Sequence, residues 1–339
     1  MKRKHFRSAL IGCGAIAQLH LANLAAGDYT DIVALCDIRE ERALAYREQY
    51  AKGAAIYTDY RKMLDEVKPD AVHITTPHDL HAEMACECLR RGIHVYLEKP
   101  VCISEEELLA VEAAAAASDA RITVSFQNRR TPQNILFYRL LREEGGAVAA
   151  RGQLSWDRGK KYYTADDWHG ILKREGGGVM INQAIHTLDL LISAFDEQPT
   201  AVSGQTFLFK NAPFSEVEDN AFFLVDFEGG GRLSFSATLN YPTDAPVYYE
   251  VFTRSGAYIT GMNGHLYKNG IQVDTEENLV PIVGKSCWGT GHTVSMQEFY
   301  TAIREGGEVP VPLASAARTM RVLFALYRAN GGRALIKSV

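Results

Sequence analysis

Two short stretches hold the chemistry-bearing residues of the N-terminal part of the chain. Gly12-Cys13-Gly14-Ala15-Ile16-Ala17 follows an apolar run ending at Ile11, and Glu98-Lys99-Pro100 follows the apolar run Ile93 to Leu97. In the first stretch, Gly12 permits a tight turn after a strand. Gly14 lets backbone approach a pyrophosphate, and Ala17 in the third position lets a helix pack close to the strand. The helix start at Ala15 and Ile16 offers backbone N–H groups and a positive dipole end to phosphate. Asp37 ends the next apolar run, where a carboxylate accepts from ribose hydroxyls and repels a 2′-phosphate. That favours NAD. Arg39 is the residue that would instead pair with the phosphate of NADP, and Ile38 between them joins the cofactor-binding set.

Lys99 stands just past the C-terminal end of a strand, the edge at which open α/β sheets bind ligands. A lysine there can donate to a hydroxyl that loses hydride. Desolvated beside a positive nicotinamide, it would lose basicity and relay a proton. Thr75-Thr76-Pro77 closes another apolar run and turns its loop toward the same edge. His81 follows as a structural or cofactor-proximal group, and Glu98 and Pro100 complete the set. No carboxylate–histidine cluster converges on His78 and His81 in sequence, so no metal site is expected.

A second constellation runs from Gly176 to Asp189. On one helix, Asn182, His186 and Asp189 share a face through i, i+4 and i+7 spacing. Such a face presents polar contacts and a base to a polyol, with Gln183 beside them. Lys99 and His186 are the expected catalytic pair.

These groups require particular elements around them. Apolar runs at 7–11, 32–36, 71–75, 93–97 and 122–125 alternate with helical patterns at 15–26, 39–50, 59–66, 79–91 and 104–117. Continuous apolar strands in βαβα order predict a parallel sheet covered on both faces. Ser104 and Glu107 form a capping box at the last of these helices. Beyond about residue 145 the runs alternate apolar and polar, at 148–156, 201–209, 219–228, 231–240, 247–253 and 257–261. The turn Glu228-Gly229-Gly230-Gly231 joins two of them as a hairpin. Helices are expected at 178–195, 292–305 and 313–329, the last with Met320, Leu323, Phe324 and Tyr327 as a core stripe. The fold class is therefore α/β: an N-terminal Rossmann doubly wound parallel sheet, residues 1–127. An α+β domain with a large open, mostly antiparallel sheet follows, residues 128–339.

The 339 residues suffice for two domains. A net charge of −5 gives no electrostatic footprint for nucleic acid. The start Met1-Lys2-Arg3-Lys4 with its short apolar run reads as the lead into the first strand, not as a signal segment, because Gly12 and Gly14 break the run. No run is long enough to span a bilayer. Cys13, Cys36, Cys86, Cys88, Cys102 and Cys287 include no C-x-x-C pair, and most lie in apolar runs. They read as free core thiols of a cytoplasmic protein.

The glycine turn, Thr76-Pro77, Glu98-Lys99-Pro100, and the glycine-led helix with His186 and Asp189 together resemble the Gfo/Idh/MocA oxidoreductases, the glucose-fructose oxidoreductase and inositol dehydrogenase relatives. The resemblance covers nearly the whole chain. It implies NAD(P)-dependent oxidation of a sugar or cyclitol hydroxyl, or the reverse reduction, with Lys99 and His186 handling the proton. Many members carry an aspartate where this chain has Asn182, so an Asp–His dyad is absent here. The Asn-Gln-x-Ile-His version resembles the sugar 3-dehydrogenase branch, as does Trp168-His169-Gly170, where an arginine commonly replaces His169. Between 156 and 177, Tyr162, Tyr163 and Trp168 can stack on a sugar ring, and Lys160, Lys161, Lys173 and Arg174 can bind an anionic group. The expected substrate set is Lys99, Asn128, Tyr163, Trp168, Asn182, Gln183 and His186, with Gln127, Arg129 and Arg130 near Asn128 also counted toward it. A homodimer or homotetramer is expected through the open face of the second sheet. Two other activities fit the same residues: a redox-neutral glycosidase or lyase working through a transient 3-keto sugar, and a non-enzymatic dinucleotide sensor, against which Lys99 argues.

Overall fold

The computed structural model describes residues 5–262, 264–273 and 290–336; Met1 to Lys4 and Cys287 lie outside them. The chain forms two compact units. One comprises 1–102, 106–131 and 278–314, and the other comprises 103–105, 132–277 and 315–339.

The first unit alternates strand and helix: β1 (Phe6–Ile11), α1 (Ala17–Ala26), β2 (Thr30–Cys36), α2 (Glu40–Tyr50), β3 (Ala55–Tyr57), α3 (Tyr60–Val67), β4 (Ala71–Ile74), α4 (His81–Arg90), β5 (His94–Leu97), α5 (Glu105–Ala116) and β6 (Ile122–Val124). The six strands are parallel in the order β3-β2-β1-β4-β5-β6. The order reverses between β1 and β4, so the loops leaving those strands diverge and open a crevice at their C-terminal ends. That crevice is where the glycine turn and Thr75-Thr76-Pro77 meet. β1 and β4 are almost wholly buried, as strands covered by helices on both faces must be. The edge strand β3, three residues long, is too brief to stand out in the sequence.

A single division at residue 127 is corrected by the return of the chain. Helix α11 (Gly291–Glu305, numbered after the helices of the second unit) belongs to the first unit. It packs Met296, Phe299 and Tyr300 against Phe6, Leu24, Tyr29 and Tyr96. The following segment covers the sheet edge: Val124 N–H donates to Val311 O (3.1 Å), and Thr123 bridges Pro312. An amphipathic helix has the same pattern whichever unit it covers, so the sequence does not show this return.

The second unit holds α6 (Pro132–Glu143), β7 (Ala147–Ser155), the short helices α7 (Lys160–Tyr163), α8 (Leu172–Glu175) and α9 (Val179–Asn182), then α10 (Ile185–Ile192), β8 (Pro199–Phe207), β9 (Asn220–Phe227), β10 (Arg232–Thr238), β11 (Tyr248–Thr253), β12 (Tyr258–Met262), β13 (His265–Lys268), β14 (Ile271–Val273), α12 (Leu313–Ala329) and β15 (Arg333–Leu335). Among the described residues its nine strands run in the order β14-β13-β12-β11-β7-β10-β9-β8-β15. The ladders are antiparallel except at the centre, where β7 and β10 pair in parallel. The short outer strands β13, β14 and β15 are absent from the sequence reading. One face is buried under α10, closely enough that a Cβ on Gly152 would lie 2.5 Å from Leu191 Cδ1. The opposite face is open, with Phe222 51% and Leu224 49% exposed. Among the described residues no helix is long and apolar enough to cross a membrane.

The helix expected over 178–195 is two helices. The turn breaks at Gln183-Ala184, where Ala184 N–H donates to Val179 O, five residues back. Asn182 and His186 therefore lie on successive helices and not on one regular face.

Candidate active site

The glycine turn is built as its residue types demand. Gly12 has φ +93°, and a Cβ there would lie 2.8 Å from the Thr75 carbonyl carbon and oxygen and from Thr76 Cγ2, so only glycine fits. Thr75 Oγ1–H donates to Gly12 O (2.6 Å), locking the two loops together. A Cβ on Gly14 would meet nothing within 4 Å, leaving the approach to its backbone clear. Ala15 and Ile16 follow in the turn, and Ala17, fully buried, opens α1. At the end of β2, Asp37 accepts from Cys13 N–H (2.6 Å) and Arg39 N–H (2.8 Å) through its two carboxylate oxygens. Those bonds aim the carboxylate beside the glycine turn. Ile38 is 86% exposed, an apolar side chain placed in solvent next to that carboxylate.

The Thr76-Pro77 and Lys99-Pro100 loops are tied by His81. Its Nδ1 lies 2.7 Å from Pro100 O and its Nε2 2.9 Å from Thr76 O. Burial pushes His81 down, and the two carbonyls pull it partly back. His81 is thus a strut between loops and no direct cofactor contact. Glu98 is a second correction to the expected cofactor set, because its carboxylate turns inward. Oε1 meets His20 Nε2 (2.9 Å), and Oε2 accepts from Lys99 N–H (3.2 Å). Lys99 is thereby anchored through its own backbone. Of the group after β6, Arg129 is buried with its guanidinium over the Phe126 ring, and Arg130 pairs with Glu298 (2.7 Å) and donates to Pro310 O (2.6 Å). Both serve the first unit's packing. Asn128 sits in the same turn, where its carbonyl accepts from Thr131.

In the second unit the expected residues gather around a tyrosine, but a different one. Tyr163 is buried and packs against Phe214 and Gly170, and the hydroxyl that meets Asn182 and Gln183 is that of its neighbour. Tyr162 OH accepts from Asn182 Nδ2 (3.0 Å) and Gln183 Nε2 (2.8 Å). Burial pushes the Tyr162 hydroxyl up, so it stays protonated. Beside it lie the His169 ring (centroids 4.7 Å), with Trp168 against His169 (3.7 Å), and Arg158 over the Tyr162 face (5.8 Å). His169 Nδ1 is 2.6 Å from Asp166 Oδ2. Asp189 is withdrawn from the polar face: it is buried and accepts from Thr319 Oγ1–H (2.9 Å). His186 opens α10, four residues after Asn182.

Two acids that the sequence reading missed hold this arrangement. Glu175, fully buried, accepts from Asn182 Nδ2 and Gly170 N–H, each at 2.6 Å. Glu218 accepts from Gly178 N–H (2.7 Å), Met180 N–H (3.1 Å) and Tyr327 OH (3.2 Å), satisfying the N-terminal donors of α9. A Cβ on Gly178 would lie 1.9 Å from Glu218 O. Burial pushes the Glu218 carboxyl up to about 7 against these donors. Both acids lie outside any local motif, and Glu218 reaches the helix from a loop before β9.

Residues 6–126 match the family model described as the oxidoreductase family, NAD-binding Rossmann fold, and residues 143–259 match the GFO/IDH/MocA C-terminal domain. The chain belongs to the Gfo/Idh/MocA family. The D-glucoside 3-dehydrogenase of Escherichia coli (strain K12) is 28% identical over 251 residues, 69% of this chain and 70% of that protein. The scyllo-inositol 2-dehydrogenase (NAD(+)) of Bacillus subtilis (strain 168) is 24% identical over 318 residues, 88% and 86% of the two chains. The chain spans about two thirds of the length of several curated relatives. The WlbA dehydrogenase from Bordetella pertussis, solved in complex with NADH and UDP-GlcNAcA, shares the fold with a TM-score of 0.85 at 23% identity, over 99% of this chain and 100% of that one.

This family member is an NAD-dependent oxidoreductase, and its first unit fits the cofactor on its own geometry. The open approach at Gly14, the aimed Asp37 carboxylate and the exposed Ile38 suit a pyrophosphate, a ribose diol and an adenine face in turn. Bound NAD supplies a hydride acceptor.

Proposed function

We propose that the chain oxidises a ring hydroxyl of a sugar or cyclitol to the ketone with NAD, or runs the reverse reduction. The observation that carries this reading is the joint presence of the aimed Asp37 carboxylate beside the glycine turn and an anchored Lys99 at the end of β5. In the oxidative direction the C–H bond gives up a hydride and the O–H bond gives up a proton. Lys99 donates to the substrate oxygen and relays that proton, and His186 is the principal base. Gly12, Gly14, Ala15, Ile16 and Ala17 hold the pyrophosphate. Asp37, Ile38 and Arg39 hold the adenosine end, and Thr75, Thr76, Pro77 and Pro100 line the nicotinamide side.

On the substrate side, both N–H groups of Asn182 are committed to Tyr162 and Glu175, so the Tyr162 O–H is the donor aimed at a substrate oxygen. Gln183 sets that hydroxyl's direction, and Trp168 offers a stacking face. Asn128 contributes a further polar contact. The open sheet face bearing Phe222 and Leu224 supports a homodimer or homotetramer. The five cysteines among the described residues are free and buried, which supports a cytoplasmic location.

The test is a sugar and cyclitol panel with NAD and NADP, read by NADH absorbance after any co-purified cofactor has been released by denaturation. NAD reduction by a hexose, glycoside or inositol supports the reading. Sugar release without net NADH would establish the redox-neutral route instead, and silence across the panel would remove the assignment.

A further inference from the structure

A chain of buried polar side chains crosses the first unit beneath Lys99, and its hydrogen-bond direction is fixed from one end. Thr30 Oγ1–H donates to Phe6 O (2.9 Å), because a carbonyl only accepts. Ser8 Oγ lies 2.5 Å from Thr30 Oγ1, so Ser8 supplies that proton. Tyr300 OH lies 2.5 Å from Ser8 Oγ and must donate to it. His73 Nε2, 3.0 Å from Tyr300 OH, must then carry a proton and donate. Burial holds His73 well below the ordinary imidazole range, so it is neutral and its Nδ1 is bare. His20 Nδ1, 2.9 Å away, is therefore the protonated partner. A neutral His20 would then turn a bare Nε2 toward Glu98 Oε1 at 2.9 Å, two lone pairs face to face in a buried site.

That contact needs a proton or a metal ion between its atoms. A tetrahedral metal at ordinary bond lengths sets its ligand atoms about 3.3 Å apart. Here one pair is closer, at 2.9 Å, and His292 Nε2 stands 3.8 Å from the same oxygen. The short distance is that of a direct hydrogen bond. The groups facing His20 are His73 on β4, Tyr96 on β5, Glu98 beyond it and His292 on α11, with Tyr300 of α11 reached through His73. Burial also lowers His292, which leaves it neutral despite Glu98.

We propose that His20 is a buried imidazolium, protonated on both ring nitrogens and paired with the Glu98 carboxylate, and that this pair is the positioning device for Lys99. Burial alone would raise the Glu98 carboxyl, but His20 and His292 outweigh it and hold it well below the usual range. The ionised Oε2 then accepts the Lys99 backbone N–H and fixes the residue that works on the substrate. The consequence for catalysis rests on the role of Lys99 proposed above, whereas the proton does not.

The experiment is imidazole ¹⁵N NMR of the full chain at about pH 8, above the ordinary histidine range. His20 is assigned by its loss in His20→Gln. The expected result is two protonated ring nitrogens for His20 in the wild type. In Glu98→Gln the amide N–H can donate to Nε2 and the amide oxygen can still accept from Lys99, so His20 should lose one ring proton while the fold is kept. Glu98→Gln should retain turnover that Glu98→Ala loses. A bare His20 nitrogen in the wild type at that pH overturns the proposal, as does one equivalent of tightly held metal in elemental analysis. If Glu98→Gln fails to fold, the wild-type spectrum still decides. None of these spectra needs a substrate, so they can fail or succeed independently of the dehydrogenase assignment.

Discussion

Replacing Asn182 by aspartate is expected to misfire in this chain. The sequence alone suggests that Asn182→Asp would place a negative charge beside His186 and raise its basicity. The structure puts Asn182 Nδ2 2.6 Å from Glu175 Oε1, and Glu175 is fully buried. A second carboxylate at that distance would repel the first by about 6 kcal/mol at an effective dielectric constant of about 20. That corresponds to roughly 10⁴-fold in proton affinity, so the two acids share one proton, as carboxylates about 3 Å apart do. The pair then adds no charge near His186. The retained proton replaces the lost N–H donor toward Glu175. The folded variant holds a proton that its unfolded chain releases, so its stability is greatest at low pH and falls as pH rises. Between about pH 5 and 8 the variant should lose about 1.4 kcal/mol per pH unit relative to wild type. Urea unfolding across that range measures it. The acidic limb of the pH–rate profile should stay in place. Parallel stability curves together with an upward-shifted limb would refute the Asn182–Glu175 contact and return His186 to direct coupling with position 182.

Lys99→Ala should lower kcat by about 10²–10⁴-fold with NAD affinity nearly unchanged, measured by steady-state kinetics and cofactor titration. Asp37→Ala should narrow the preference for NAD over NADP; a wild type that already prefers NADP would make Arg39 the dominant reader. Glu218 carries a second pH signature. Because burial raises it to about 7, its contribution is full below the ordinary carboxylate range and is lost as pH rises through 7. Glu218→Ala leaves the Gly178 and Met180 N–H groups without their acceptor and should cost about 2–4 kcal/mol in chemical denaturation.

The first unit was largely legible because its signals are local. A glycine with φ +93° pressed against Thr75, an acid at a strand end and a lysine at another strand end each lie within a few residues of the element that places them. The second unit was legible in its strands but less so in its site. Tyr162 and Tyr163 are neighbours in a four-residue helix, and only packing decides that one faces Asn182 and the other the core. Glu175 and Glu218 act across turns and strands, where no spacing rule reaches. The His20–Glu98 contact spans 78 residues and joins α1 to the end of β5, so it exists only once the sheet is assembled. The break at Gln183-Ala184 has no proline or glycine to announce it. The return of α11 to the first unit is a choice between two apolar surfaces that one amphipathic pattern fits equally.

The proposed reaction is net hydride transfer from a ring carbon to NAD with Lys99 acting on the departing proton. It is tested most directly with a panel substrate deuterated at the reacting carbon, by following the nicotinamide in mass spectra for wild type and Lys99→Ala. One deuterium on the reduced cofactor for each substrate oxidised, accumulating in solution, and a rate lost in Lys99→Ala are the expected result. Deuterium that returns to a released sugar with no net reduced cofactor, or full transfer by Lys99→Ala at the wild-type rate, would contradict it.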